Sequence, residues 1–75
     1  MYMNALKEGD SVRLIDFGKT PRAYLRRLLS LGLTRGVEVL VVRRAPLGCP
    51  VQIEVRGTSL TLRQDEAGFL LWERV

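Results

Sequence analysis

Apolar residues recur at every second position in several stretches of the chain and at helical spacing in one, and this change of rhythm lays out the elements. After a start over Met1–Glu8 that reads as flexible, Gly9-Asp10 makes a turn. Val12 and Leu14, with Ile15 and Phe17, then give a first strand ending at Gly18. Thr20-Pro21-Arg22 predicts a helix start, because threonine can cap an N-terminus and proline is pre-set for the first helical position. Over a helix 21–31, Tyr24, Leu25, Leu28, Leu29 and Leu31 fall on one side and Arg22, Ala23, Arg26, Arg27 and Ser30 on the other. Gly32 ends it in the left-handed conformation that a helix C-terminus favours, with Leu33 packing back.

A second strand runs through Val37–Arg44 with Val37, Val39 and Val41 inward, as its β-branched residues suggest. Ala45-Pro46-Leu47-Gly48 has proline and glycine where a type I turn favours them, so 45–50 is predicted as a hairpin loop. Val51, Ile53 and Val55 alternate with polar residues, and Leu60 and Leu62 repeat the pattern beyond Gly57. Asp65–Gly68 reads as a short helical turn. Phe69–Val75 closes the chain as a strand with Leu70 and Trp72 inward. The fold class is mostly β: an SH3-like barrel of about five strands, curled to limit its edges, with one α-helix inserted after the first strand. No linker or repeat divides residues 1–75, which are expected to form a single domain.

Charge narrows the choice of partner. The formal net charge is +4, and of the 12 basic residues only Lys7 and Lys19 are lysines. The planar guanidinium favours bidentate contacts with carboxylate and phosphate, so the positive side suits an interface. Nucleic acid, an acidic protein surface and anionic headgroups all qualify. The few aromatic residues do not interleave with the basic ones as a base-stacking platform would, which argues against nucleic acid.

Catalytic chemistry finds few candidates. Histidine is absent and Cys49 is the only cysteine, so there is no imidazole base, no internal disulfide and no thiolate or imidazole cluster for a metal. The acids lack the spacing of a calcium loop and the glycines match no nucleotide fingerprint. No cofactor, no metal site and no enzymatic activity are expected. Asp65-Glu66 is read as capping the helical turn, and Cys49 as an incidental loop thiol rather than a redox sensor. The basic helix face is either a solvated side or a contact. Arg43-Arg44 guard the preceding apolar strand from aggregation or meet a partner. The N-terminal residues lack the apolar core of a secretion signal and no apolar run is long enough to cross a membrane, so the expected location is cytoplasmic, without membrane insertion.

Two stretches carry a family likeness: Leu28-Leu29-Ser30-Leu31-Gly32-Leu33-Thr34-Arg35-Gly36 and Val42-Arg43-Arg44-Ala45-Pro46-Leu47-Gly48-Cys49-Pro50. With Leu60-Thr61-Leu62-Arg63 and Glu66-Ala67, they resemble the ferrous iron transport protein A (FeoA) family from Gly9 to Val75. Arg35 stands where that family commonly has proline and Cys49 where it commonly has aspartate. The resemblance implies an SH3-like cytoplasmic accessory protein that regulates ferrous iron uptake by binding a GTP-dependent membrane transporter, FeoB. On that reading the loop 45–50 and the helix form the partner-binding surface, through Arg22, Arg26, Arg44, Pro46, Leu47 and Gly48. Leu47 either anchors the partner or folds down over the open end of the barrel. The alternative is a small basic nucleic-acid-binding barrel of the same class.

Overall fold

The structure, a computed structural model, describes residues 1–75. Its strands are β1 at Ser11–Asp16, β2 at Glu38–Arg44, β3 at Val51–Val55, β4 at Thr58–Leu62 and β5 at Leu71–Arg74. They pair antiparallel in one sheet of order β4-β3-β2-β1-β5. Helix α1, Arg22–Ser30, lies between β1 and β2, and the single turn α2, Gln64–Ala67, joins β4 to β5. The expected element order, with one helix after the first strand, is therefore found.

Alternation builds the core. Val12, Leu14, Val39, Val41, Val51, Ile53, Val55, Leu62 and Trp72 come from the inner face of the sheet, and Val37, Leu33 and Leu70 join them from flanking segments. No buried residue is polar or charged, so hydrophobic burial holds this core together almost alone. Trp72 is fully buried and its indole N–H finds no acceptor within the chain, so packing alone holds the ring. Register shifts between Leu14 and Asp16 and between Val41 and Arg43 add twist, which curls the sheet around the core. The β3–β4 register is unbroken over its whole length.

The N-terminal segment is not the flexible start the sequence suggested. Met3–Ala5 forms a 3-10 turn, and Met3 and Leu6, three positions apart, are both in the core. The Met1 ammonium donates to the Trp72 carbonyl at 2.7 Å, while the Trp72 N–H donates to the Met1 carbonyl at 2.8 Å. Met1 thus covers the outer side of β5 at Trp72. A single turn of chain is too short to show periodicity, which is why the pattern missed it.

Helix α1 departs from expectation at its start and on its apolar side. Thr20 does not cap it; the hydroxyl donates to the Phe17 carbonyl, and Pro21 occupies the cap position with no side-chain bond. The C-terminus behaves as predicted. Gly32 has φ +96°, its N–H donates to the Leu29 carbonyl at 3.1 Å, and the Leu33 N–H reaches the Leu28 carbonyl at 3.0 Å. This is the paired bonding of a Schellman cap. Of the five residues expected inward, only Leu28 is buried; Leu25 is half-buried, and Tyr24, Leu29 and Leu31 are exposed. Amphipathic spacing reports a face, and here the sheet curls under only one edge of it.

The final strand keeps Trp72 inward, with Leu70 buried just before it, but begins at Leu71 and leaves Phe69 exposed. Gly18 marks a close approach, since a Cβ there would lie 2.6 Å from the Phe69 carbonyl oxygen. The loop before α1 therefore touches the entry to β5 backbone to backbone.

Candidate docking site

The 45–50 loop is short and internally bonded. The Gly48 N–H donates to the Ala45 carbonyl at 2.8 Å and the Ala45 N–H to the Pro50 carbonyl at 3.1 Å, so the turn expected from Pro46 and Gly48 forms. Pro46 is exposed and Gly48 half-buried. Leu47 at the tip is 97% exposed, so it does not fold down over the end of the barrel.

Arg44 braces the loop. Its guanidinium donates to the Asn4 carbonyl at 2.8 Å and to the Leu6 carbonyl, and its N–H donates to Glu8 Oε1 at 3.2 Å. The same guanidinium lies against Gly48, where a Cβ would stand 3.0 Å from it. An arginine that satisfies backbone carbonyls on one side and supports a turn on the other is committed within the chain. These bonds add a bracing role to the two that its sequence position suggested.

Arg22 and Arg26 are exposed on α1 and make no ion pair, whereas Arg27 pairs with Glu66 at 3.6 Å and ties α1 to α2. No hydrogen bond or ion pair links Arg22 or Arg26 to the loop. The structure thus brings Arg44, Pro46, Leu47 and Gly48 together, and the two helix arginines are not bonded to them.

Two concavities flank these surfaces. One of about 290 Å³ lies between the loop, at Ala45, Pro46 and Pro50, and the strands, at Arg43, Gln52 and Thr61. A wider groove of about 630 Å³ has the half-exposed rings of Tyr2 and Phe69 on its walls, Lys19 and Asn4 beside them, and no residue of the loop. Sequence reasoning passed over Tyr2 and Phe69, because they lie near opposite ends of the chain and meet only through the pairing of Met1 with Trp72.

Little in these surfaces can do covalent chemistry. Cys49 is exposed and its Sγ accepts the N–H of Gln64, the first residue of α2, at 3.3 Å. Asp65 and Glu66 lie in the first turn of α2, where carboxylates complement the helix dipole. Of the other acids, four form ion pairs at the surface, Asp10 with Arg74, Asp16 with Arg35, and Glu38 and Glu73 with Arg13. No three histidine, cysteine or acidic side chains come together as a metal set. No helix is long and apolar enough to cross a membrane.

Comparison with known proteins gives this architecture a family. The family model described as the FeoA domain matches residues 1–73. The solution structure of the FeoA protein from Chlorobium tepidum superposes with a TM-score of 0.88 at 36% identity, over 100% of this chain and 70% of that one. A FeoA-like protein from Clostridium acetobutylicum gives 0.84 at 29% identity, over 100% and 86%. The FeoA of Stenotrophomonas maltophilia, crystallised with zinc and described as a prokaryotic SH3-domain protein, gives 0.80 at 29% identity, over 97% and 89%. The fold is accordingly SH3-like, and the chain belongs to the FeoA family, an accessory group linked to ferrous iron transport and not a known family of enzymes.

Proposed function

We propose that the chain is a cytoplasmic regulatory module of ferrous iron uptake, which acts by docking on the GTP-dependent transporter FeoB. The observation that carries this reading is Leu47. An apolar side chain 97% exposed at the tip of a turn braced by Arg44 contributes nothing to the core of its own chain. Such a side chain, held in place before the encounter, is the kind of anchor that concentrates binding energy at an interface. Arg22 and Arg26 offer a second contact through charge on the transporter. The Stenotrophomonas maltophilia relative is itself described as a candidate activating factor of ferrous iron transport.

Leu47→Glu tests this. The substitution should leave the melting temperature unchanged and weaken binding to the purified cytoplasmic portion of the transporter by about tenfold or more, equivalent to about 1.4 kcal/mol. Full binding by the variant would remove the loop from the interface. Strong association with RNA instead, falling steeply with added salt, would favour the nucleic-acid reading.

A further inference from the structure

The sheet has two ends in its hydrogen-bonded order, and they are finished differently. At β5 the backbone of Trp72 is paired with Met1 through both its N–H and its carbonyl. Nothing comparable occurs at β4. Arg56 and Gly57, at φ +50° and +81°, form a two-residue hairpin turn, which makes Val55 and Thr58 a mutually hydrogen-bonded pair. By alternation Ile53 bonds Leu60 and Val51 bonds Leu62, so the N–H and carbonyl of Ser59 and Thr61 point away from β3. Neither backbone is bonded to any other part of the chain, and both residues are exposed.

Edge strands are normally guarded by a proline, a lysine or a bulge. The run Thr58-Ser59-Leu60-Thr61-Leu62 has none of these, and its register with β3 is straight. Beside it, half-buried Leu60 and exposed Leu31, just beyond the end of α1, line a small crevice together with Thr61, Arg63 and the paired Arg27 and Glu66. At the two ends of the run stand Arg56 and Arg63, both exposed and neither paired with a carboxylate.

We propose that the free edge of β4 takes an extended acidic segment of a partner protein by strand addition. The segment pairs its backbone with Ser59 and Thr61, lays apolar side chains on Leu60 and Leu31, and brings carboxylates to Arg56 and Arg63. A second copy of the chain fits less well, because antiparallel self-pairing centred on Leu60 sets Arg63 of each copy against the Arg56-Gly57 turn of the other. The inference does not rest on the transporter reading: it turns on the backbone edge of β4, of which only Thr61 also borders the concavity beside the loop.

Thr61→Pro is the decisive variant. It removes an N–H that no ladder bond uses, at an edge position where proline is tolerated, so the fold should survive. The probe is a blocked peptide of alternating valine and threonine with glutamate at each end, and its control has lysine at each end. The glutamate peptide should bind at least about tenfold more tightly than the lysine peptide, perturb the amide resonances of Ser59 and Thr61, and lose at least about tenfold in affinity with Thr61→Pro. Should Thr61→Pro unfold, the double variant Arg56→Glu, Arg63→Glu replaces it and should reverse the preference between the peptides. Equal binding of both peptides, unchanged affinity in the variants, or no binding at millimolar peptide would overturn the proposal. So would a dimer in sedimentation that Thr61→Pro dissolves, since the edge would then belong to a second copy.

Discussion

The sheet and helix α1 carry equally clear hydrophobic patterns and bury them to very different degrees. Along β2, β3 and β5 the residues expected inward are buried, whereas α1 hides only Leu28 of five. The sheet curls around its inner face, so the inner positions of its central strands meet apolar neighbours from several strands. The helix lies over one side of that enclosure, and its apolar side is wider than the ground it covers. Hydrophobic periodicity therefore states which side of an element turns from water, while the neighbours decide how much of it succeeds.

The strongest way to break this contrast is to remove a residue from the enclosed side. Trp72→Ala should cost about 3–5 kcal/mol, because a fully buried indole held only by packing leaves a cavity. At about 4–8 °C per kcal/mol for a domain of this size, a thermal melt should fall by tens of degrees or show no cooperative transition. A small shift would mean that the core is less closed than described.

A sharper comparison lies within α1. Leu28→Ala should cost about 2–4 kcal/mol and Leu29→Ala less than about 1 kcal/mol, although the two are adjacent leucines of one helix. Equal losses in urea titrations would mean that the exposed side of α1 is covered in solution. Arg44→Ala comes next, at about 1–3 kcal/mol, because the carbonyls of Asn4 and Leu6 lose a charged donor. Faster amide exchange at Ala45 and Gly48 would mark a loop released from its brace. Cys49→Ser should have the smallest effect, less than about 0.5 kcal/mol by the same titration, since the hydroxyl can accept the Gln64 N–H in place of the exposed thiol.

The strands, the turns and the helix end were legible because each is a local statement: alternation for β2 and β3, proline and glycine around Leu47, and Gly32 with Leu33 for the cap. The burial of Met3 and Leu6 was not, because it depends on the pairing of Met1 with Trp72, a contact between opposite ends of the chain. For the candidate surface, the turn around Leu47 follows from Pro46 and Gly48, which left open whether its tip points out or folds down. The commitment of Arg44 does not, since its acceptors are carbonyls, which every residue carries and no sequence pattern distinguishes. The groove between Tyr2 and Phe69 was hidden for the same reason as Met3: long-range pairing creates it.

The bond pair between Met1 and Trp72 also sets a limit on growth. A β-rich molecule with two open flanks behaves as a bifunctional monomer, and stacking strand on strand can continue into fibres. With the backbone of Trp72 already taken by Met1, the two flanks of this sheet are unequal, and β5 offers a shorter open edge than β4. An addition at β4 therefore finds no equal edge at β5 to repeat it, which works against stacking strand on strand while β4 stays available for recognition.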